Sequence, residues 1–452
     1  MSVIISLLSF VLALAILVTV HEFGHFWVAR KCGVKVLRFS VGFGKPLFSF
    51  YRKNDPTEYV VAGIPLGGYV KMLDESEGSV SDSEKHLAFN NKPLFSRILI
   101  VLAGPVFNFI FAIVAFWVIL TVGEKGLKPI VGELSKAGMA IESGLEVGDE
   151  ITAVNGHPTT IWRIANGHIM SELLNSGSVD ITVLKSDGRA GTAHLMLKND
   201  SIPEPALLNK MVGITPKVPT LRPVLDEIVN GEAADVAGLK KGDLILAVNQ
   251  NRVSTWGEWV TYTRSSPNTL LSVDVERNDV VIQISLTPKQ IEEGGETFGR
   301  IGASVFIDDS VIEQYNSVYS LDLVTAVPES IRLTVHYSVL TLKMIGRMLV
   351  GTASVDNLSG PISLAQYAGQ TASIGLIPFL KFLAFVSISL GVLNLLPIPM
   401  LDGGHLFFYL IEGLRGKPVS NEVMQVSMRA GMMVLMSIML LAMFIDLNRV
   451  FG

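Results

Sequence analysis

The chain has 452 residues, of which 49% are hydrophobic and 17% are charged, and its formal net charge is −5. Soluble globular domains usually carry about 25% charged residues, so this composition argues against a soluble protein. The small negative charge argues against a nucleic-acid partner. The single cysteine, Cys32, excludes an intramolecular disulfide.

Four apolar segments are long enough to cross a membrane, which takes about 20 residues. They are Val3–Val20, Ile98–Val122, Leu376–Leu396 and Val423–Ile445. The first could instead be a secretory signal, but a signal begins with basic residues, and no Lys or Arg precedes Val20. The sequence therefore predicts four transmembrane helices.

Several basic residues flank these spans on the same side. They follow the first span, precede the second and lie between the third and the fourth: Arg30, Lys31, Lys35, Arg38, Lys92, Arg97, Arg415 and Lys417. Positively charged flanks remain in the cytoplasm. We therefore expect both chain ends, and the stretch after the second span, to lie outside.

That stretch has the composition of a soluble protein and contains an internal repeat. The run Ala140–Asn155 recurs as Ala234–Asn249 with the shared pattern Ala-x-x-x-Gly-Leu-x-x-Gly-Asp-x-Ile-x-Ala-Val-Asn. A second anchor follows each run, Val-Gly-Ile at 212–214 and Ile-Gly-Ala at 301–303. The repeat predicts two similar domains of about 90 residues in tandem.

The repeated pattern resembles the PDZ domain, in a circularly permuted form with the carboxylate-binding loop last. The resemblance implies that Gly213 and Ile214 in the first copy, and Gly302 in the second, bind peptide C-termini through backbone N–H groups. The second copy has Ala303 in place of isoleucine, so its peptide site departs from the pattern. The alternative is a pair of spacer domains without a ligand.

The segment Ile331–Val350 is apolar enough to suggest a fifth span. Its basic residues fall on one helix face, however: Arg332, His336, Lys343 and Arg347. A one-sided charged stripe is typical of an amphipathic helix that lies on the membrane surface. We predict an interfacial helix here.

The first motif that carries chemistry is His21-Glu22-Phe23-Gly24-His25, at the end of the first span. Positions i and i+4 share a helix face, so both imidazoles can bind one ion. Zinc accepts neutral imidazole nitrogens, and Glu22 lies where a general base reaches a water activated by the metal. Such residues at membrane depth are costly without a function, although a polar cluster entering the headgroups is the alternative.

A catalytic zinc needs a third protein ligand and an open position. The motif at 394–405, which contains Asn394, Pro397, Pro399, Asp402 and His405, supplies a candidate. The two prolines cannot continue a helix, so the third span must unwind here. We predict Asp402 as the third ligand, with His405 as its rival and a capping aspartate in a Pro-Gly turn as the structural alternative.

The predicted topology tests this pairing. The first span runs from outside to inside, so His21 lies near the cytoplasmic side. Asp402 ends the third span, which must run in the same direction to bring the two residues together. That condition holds only if Ile331–Val350 does not cross the membrane.

Together these motifs resemble the site-2 protease family of intramembrane zinc metalloproteases. The resemblance covers nearly the whole chain, including Val-Gly-Phe-Gly at 41–44 and Pro-Leu-Gly-Gly-Tyr-Val-Lys at 65–71. It implies one catalytic Zn²⁺ held by His21, His25 and Asp402, with Glu22 as the base. It also implies that Asn394 helps to hold the substrate or the transition state.

The resemblance further implies how the substrate is presented. A short hairpin over Gly63–Met72, with Gly67-Gly68 as its flexible point, would dip into the membrane and add a strand to an unwound substrate. The residues implied in substrate binding are Gly67, Gly68, Tyr69, Val70, Pro397 and Pro399. The alternative is an ordinary cytoplasmic turn.

The implied substrate is the transmembrane segment of a single-span protein in regulated intramembrane proteolysis, either a pre-cleaved anti-sigma factor or a remnant signal peptide. The implied location is a bacterial inner membrane, with the PDZ-like domains in the periplasm, the active site near the cytoplasmic side and lipids around the helices. Two other classes stay open. A membrane scaffold with a structural zinc predicts four protein ligands, and a zinc transporter needs further ligands within the bilayer.

The predicted fold is thus a membrane α-helical core of four transmembrane helices, of site-2 protease type, with a membrane-associated β-hairpin and two extracytoplasmic PDZ-like α+β domains. The predicted segments are 1–30 with the first span, 31–95 with the β region, 96–123 with the second span, 127–219 and 220–309 with the PDZ-like domains, 322–352 with the interfacial helix, 376–402 with the third span and 423–446 with the fourth.

Overall fold

The structure is a computed structural model that describes residues 3–53, 55–76, 78–197, 205–293, 296–351 and 360–451. Parts of several predicted segments lie outside these ranges, namely residues 1–2, 54, 77, 198–204, 294–295 and 352. The chain divides into two compact units. The first comprises Met1–Glu124 and Ser320–Gly452, and the second comprises Lys125–Tyr319.

The described chain contains helices and strands in an order that alternates between all-helical and mixed stretches. The helices are α1 Val3–Lys31, α2 Leu94–Val122, α3 Met139–Glu142, α4 Trp162–Ser176, α5 Pro205–Val212, α6 Ala233–Val236, α7 Trp256–Arg264, α8 Asp309–Tyr315, α9 Ala326–Leu349, α10 Pro361–Ile374, α11 Leu376–Leu395, α12 Asp402–Arg415 and α13 Asn421–Phe451. The strands are β1 Val36–Tyr51, β2 Glu58–Met72, β3 Glu124–Leu127, β4 Val131–Leu134, β5 Glu150–Val154, β6 His157–Pro158, β7 Ser178–Leu184, β8 Ala190–Met196, β9 Ile214–Pro216, β10 Leu225–Ile228, β11 Leu244–Val248, β12 Asn251–Arg252, β13 Leu271–Arg277, β14 Val280–Leu286, β15 Lys289–Glu293, β16 Glu296–Arg300, β17 Ala303–Val305 and β18 Asn316–Tyr319.

Four of the described helices are long and apolar enough to cross a membrane: α1, α2, α11 and residues Glu422–Asn448 of α13. The predicted number of candidate spans is therefore confirmed. Helix α11 ends at Leu395, seven residues before the end of the predicted third segment. Large apolar side chains remain exposed along these helices, as surfaces that face lipid tails require, for example at Leu7, Ile110 and Met439.

Helix α2 is the centre of the first unit. Its buried residues Ala112 and Phe116 pack with Ile388 of α11, while Gly24 of α1 lies against the backbone of α2 near Ala103. Because α2 contacts both neighbours, it holds the His-Glu-x-x-His end of α1 near the end of α11.

Helix α9 covers the predicted interfacial segment and is not among the four candidate spans. It packs against the helical core rather than lying free on a surface. The Tyr337 ring lies 6.0 Å from the Phe116 ring of α2 and 4.6 Å from the Phe385 ring of α11. One face of this helix is thus fixed by aromatic contacts to two candidate spans.

The predicted short hairpin over Gly63–Met72 is wrong in its pairing. The first arm of β2, residues 58–61, and its second arm, residues 68–71, both pair with residues 38–41 of β1. Ser40, for example, pairs with Val60 of the first arm and with Tyr69 of the second. The two arms of β2 therefore flank β1 instead of pairing with each other, and Gly67-Gly68 lie inside a strand rather than at a hairpin tip. A local turn signal could not reveal this because the partner strand is about 30 residues away along the chain.

The second unit contains the repeat as two sets of elements in nearly the same order. Helix α5 precedes the last strand of the first set, and β15 and β16 take its place in the second. Its sheets run β6-β5-β7-β8 with β4-β9, then β12-β11-β13-β14 with β10-β17. Each set has its own buried core, the first around Ile151, Leu173 and Ile181 and the second around Ile245 and Trp259.

Candidate metal centre

Helices α1 and α2 approach closely beside the two histidines. A Cβ atom on Gly24 would lie 2.5 Å from the Ala103 carbonyl oxygen, and one on Gly104 would lie 2.7 Å from His21 Cε1 and nearer still to His25 Nε2. No side chain tolerates such contacts, so glycine is required at both positions. The bare surface of α2 leaves room for both imidazole rings.

Asp402 is the first residue of α12 and follows a break in the helical path. Residues 396–401 form bends and turns without helix, in the region where the prolines predicted unwinding. Met400 has a φ of +95°, a conformation that costs a residue other than glycine about 1–3 kcal/mol. Because Met400 keeps this strained conformation, the contacts around it must hold the backbone in place, and this backbone orients the carboxylate of Asp402.

The Asp402 carboxylate meets the two imidazoles in space. Its Oδ2 lies 3.2 Å from His21 Nε2 and 3.5 Å from His25 Nε2, and the two Nε2 atoms are 3.2 Å apart. Donors bound at about 2.0–2.1 Å to a tetrahedral zinc ion are about 3.3 Å from one another. The donor set therefore fits zinc in both chemistry and spacing.

Burial supports the same conclusion. The side chains of His21, His25 and Asp402 are only 14%, 11% and 19% exposed. Asp402 Oδ2 is buried and accepts no hydrogen bond from the described residues, which is costly for a carboxylate unless an ion compensates its charge. Two nearby imidazole nitrogens with free lone pairs would not provide that compensation.

These three residues form the group of metal-binding side chains found in the described parts of the chain. His405, the rival ligand, is not part of it. Three protein donors leave a fourth position for water or substrate, which is the arrangement of catalytic zinc sites. The scaffold alternative with a structural zinc would require a fourth protein ligand.

The orientation of His25 is set by α2. Its Nδ1 lies 2.8 Å from the carbonyl oxygen of Ile100. A carbonyl oxygen only accepts, so Nδ1 donates its hydrogen and the lone pair of a neutral ring is on Nε2. That lone pair faces Asp402.

Glu22 faces the second arm of β2. The backbone of Val70 lies near the Glu22 carboxylate, and a Cβ on Gly68 would lie 3.2 Å from Glu22 Cγ. Tyr69 lies between these two residues, and Gly67 precedes them. The structure thus brings the four predicted substrate-binding residues of β2 to the side of the predicted base.

The remaining predicted residues of this unit lie on the path that leads to Asp402. Asn394 is half-buried in the last turn of α11, and Pro397 and Pro399 lie in the non-helical stretch after it. The carbonyl oxygen of Pro399 lies against Gly431 of α13, where a Cβ atom would collide with it.

Gly213, Ile214 and Gly302 lie in the second unit. Gly213 and Gly302 have positive φ angles of 68° and 71°. Their carbonyl oxygens accept hydrogen bonds of 2.8 Å from the N–H groups of Ser135 and Val229, respectively. The two copies therefore build this loop in the same way.

The two loops differ in charge. A Cβ on Gly302 would collide with the Glu232 side chain, whereas the equivalent neighbour of Gly213 is Gly138. Glu232 Oε2 is buried and has no hydrogen-bond partner among the described residues, and Arg300 is 3.8 Å away. The second loop thus has an acidic side chain beside it, with Arg300 as its ion-pair partner, where the first loop has a glycine.

Asn108 on α2 was not among the predicted site residues. Its Nδ2 lies 3.2 Å from His21 Nδ1. The sequence contained a signal for it, because an amide in the middle of an apolar span is costly without a partner. It also follows Gly104 by four positions and so shares a helix face with it.

Arg97 and Glu412 also escaped prediction. Arg97 Nη1 and Nη2 donate to Glu412 Oε2 and Oε1 over 3.2 and 2.5 Å, and the guanidinium lies 5.0 Å from the Tyr409 ring centre. This bidentate pair fastens α12 to α2. Because α12 begins at Asp402, the pair supports the aspartate from the far end of its helix.

Comparison with known proteins places this site in context. The model of peptidase family M50 matches residues 9–438. The chain is 40% identical to the regulator of sigma-E protease of Salmonella typhimurium, over 99% of this chain and all of that protein. It is also 40% identical to the protein of that name in Escherichia coli, over 98% of each chain. A protein of Neisseria meningitidis named as a candidate zinc metalloprotease is 40% identical over 99% of this chain and all of that relative.

Proposed function

The chain belongs to peptidase family M50 and is a zinc metalloprotease, and from that premise we propose that it hydrolyses a peptide bond within the transmembrane segment of a single-span membrane protein. The observation that carries the proposal is the position of the donors. Two of them lie in α1, a candidate span, and the third follows directly after α11, another candidate span. Zinc ligands on such helices favour a substrate that is itself in the membrane.

The proposed zinc ligands are His21, His25 and Asp402, whose donors have the spacing of a tetrahedral site. Zinc, when bound, polarises a carbonyl and lowers the pKa of a water. Glu22 then accepts the proton of the attacking water and passes it to the leaving amine.

The proposed substrate platform is the second arm of β2. Among the described residues it pairs with β1 along one edge and with no strand along the other, and Gly68 lies against Val18 and Glu22 of α1. An unwound transmembrane segment that pairs with Gly67, Gly68, Tyr69 and Val70 would recover backbone hydrogen bonds lost with its helix. Asn394, with Pro397 and Pro399 in the unwound stretch, would hold the substrate from the opposite side.

The proposed cellular role follows the names of the relatives. Two of them are named regulator of sigma-E protease, so we propose a pre-cleaved anti-sigma factor as the substrate, with remnant signal peptides as a second source. The protein would lie in a bacterial inner membrane with both ends outside. The active site would face the cytoplasmic side, and the two repeats would be in the periplasm.

The two repeats are proposed to be PDZ-like domains that act on substrate access. The first would bind a peptide C-terminus at Gly213 and Ile214, where the loop is neutral. The second would serve as a spacer in a size filter, because the acidic side chain of Glu232 lies beside Gly302. Deletion of residues 128–307 should then allow uncut substrate to be cleaved, and unchanged selectivity would contradict the filter.

The central test is Glu22→Gln in purified protein supplied with a model transmembrane substrate. Loss of the base should reduce cleavage about 10²–10⁴-fold, while zinc content stays near one per chain because Glu22 is not one of the proposed ligands. A chelator should abolish wild-type cleavage, and added zinc should restore it. Cleavage by the variant at the wild-type rate would remove Glu22 from the mechanism, and equal cleavage of soluble and membrane substrates would argue against the intramembrane reaction.

A further inference from the structure

Asn108 is a fully buried amide in the middle of α2, a helix otherwise suited to lipid. Its Nδ2 lies 3.2 Å from His21 Nδ1. Its Oδ1 is buried and has no hydrogen-bond partner among the described residues. An unpaired buried amide oxygen destabilises the fold, so a residue held this way requires an explanation.

The proton on His21 supplies that explanation. Both Nε2 atoms face Asp402 and each other, so a neutral His21 that binds metal through Nε2 must carry its hydrogen on Nδ1. That hydrogen needs an acceptor, as the hydrogen of His25 has one in the Ile100 carbonyl. An amide nitrogen cannot accept it.

A half-turn of the Asn108 amide would pair its oxygen with His21 Nδ1–H and move Nδ2 to the position that Oδ1 leaves. The oxygen and nitrogen of an asparagine amide have nearly the same shape, and their assignment follows from the hydrogen bonds they make. After the half-turn Oδ1 takes the place of Nδ2 and accepts from His21 Nδ1–H. The buried oxygen then has its donor and the histidine its acceptor.

The backbone of Asn108 is held from the other side. The Ser387 hydroxyl of α11 is fully buried and donates to the Asn108 carbonyl oxygen over 2.8 Å. Asn108 is thus fixed between the helix that carries the histidines and the helix that leads to Asp402. The amide needs no backbone movement to reach His21.

We propose that Asn108 is a positioning residue whose amide oxygen holds the His21 ring with its hydrogen on Nδ1 and its Nε2 lone pair toward the zinc. The inference rests on the proposed ligand set. It assigns a role to a polar side chain on a candidate span that contributes neither a proposed ligand nor a proposed substrate contact. Partners of this kind usually change metal affinity 10–100-fold when they are removed.

The experiment measures zinc affinity of the full-length protein in detergent by competition with a chelator. Asn108→Leu keeps the approximate volume but has no acceptor, and zinc affinity should fall about 10–100-fold. Asn108→Asp keeps an oxygen acceptor at the same place and should stay within about threefold of wild type. Thr121→Val is the matched control, because Thr121 is on the same helix and its hydroxyl donates only to carbonyls of that helix. It should leave affinity unchanged.

Wild-type affinity in Asn108→Leu would overturn the proposal, and so would equal losses in the Leu and Asp variants. The ligand-field absorption of Co²⁺-loaded protein should also change in the Leu variant and not in the Asp variant. If Asn108→Leu does not fold, Asn108→Ala carries the same expectations. His21→Ala tests the ligand set separately from the role of Asn108. Unchanged zinc affinity in His21→Ala would refute the ligand set itself. A large loss of affinity in His21→Ala, with no loss in Asn108→Leu, would refute only the role of Asn108.

Discussion

Asp402 in the first unit and Asp243 in the second are both buried carboxylates, but their surroundings differ. Asp243 accepts from the Lys240 N–H over 2.8 Å and from Arg277 Nε and Nη2 over 2.7 and 2.6 Å. Asp402 Oδ2 accepts from no described donor and faces two imidazole nitrogens. Protein donors complete the site around Asp243, and only an ion completes the site around Asp402.

The first repeat shows that the pattern around Asp243 is structural. Asp149 accepts from the Glu146 N–H and from Lys185 Nζ, over 2.9 and 3.0 Å. Lys185 also donates to the Gly144 carbonyl oxygen, as Arg277 does to the equivalent Gly238. In both repeats, therefore, a basic side chain bonds to the buried aspartate and to a neighbouring backbone carbonyl, and so stabilises the fold. The partners of a carboxylate, more than its burial, therefore separate a functional carboxylate from a structural one.

The largest effect is expected for Asp402→Asn. The variant keeps the shape but loses the charge that joins the two histidines on the ion, so zinc affinity should fall by more than about 100-fold, beyond the loss typical of a residue outside the ligand set. Proteolysis should fall with it. Metal analysis and chelator competition on the purified protein provide the measurement, and hydrogen exchange in the two repeats should not change.

His405→Gln is the matched control for this variant, because His405 lies three residues further along the same helix. Its zinc affinity should stay at the wild-type value. A zinc loss in His405→Gln as large as in Asp402→Asn would reverse the assignment of the third ligand.

Asp243→Asn should give the opposite result, with stability lost and zinc retained. The change leaves a partly buried guanidinium without its counter-charge, at a cost of about 2–4 kcal/mol, reduced from the value for a fully buried pair because Arg277 is 23% exposed. Asp149→Asn should cost less, since Lys185 makes one contact to its aspartate where Arg277 makes two. Hydrogen exchange of the full-length protein reports each repeat separately. Equal hydrogen-exchange protection of the repeats in the two variants, or loss of zinc in either variant, would contradict this prediction.

The parts of the site that the sequence predicted are those with local signals. His21 and His25 are one helical turn apart, and the prolines before Asp402 announce a break in an apolar span. The repeat was visible because its turns need Gly and Asp at fixed positions. Each of these signals is confined to one short stretch of the sequence.

The parts that could not be predicted depend on contacts between distant segments. Arg97 and Glu412 are 315 residues apart, and neither is unusual where it stands. The arms of β2 could not be assigned because strand pairing depends on register with β1, and one local glycine pair fits both a hairpin tip and a bend within a strand. Asn108 carried a local signal, but its partner became known only when α1 and α2 were placed together.

Asp55 is a carboxylate of the first unit whose substitution should have a smaller effect than those described above. This carboxylate is 8% exposed and belongs to the partnered class, with donors in the Thr57 N–H at 3.0 Å, Arg30 Nη1 at 2.6 Å and the Tyr59 hydroxyl at 3.0 Å. Burial raises its pKa, but the hydrogen bonds from Thr57, Arg30 and Tyr59 outweigh it and hold the pKa at about 2. Asp55→Asn should therefore lower stability at pH 7, by about 1–2 kcal/mol, without loss of zinc.

The pH dependence makes this prediction specific. A carboxyl whose folded pKa lies below its unfolded value, near 4, stabilises the fold above that value and loses its contribution as the pH falls toward 2. The difference in melting temperature between wild type and Asp55→Asn should thus be constant from pH 7 to about 5 and shrink toward pH 2.5. Asp82→Asn is the control, because Asp82 is 94% exposed in its pair with Lys85 and such pairs contribute little. A difference for Asp55→Asn that grows as the pH falls would show that its carboxylate is not stabilised by these donors, and would remove Asp55 from the partnered class.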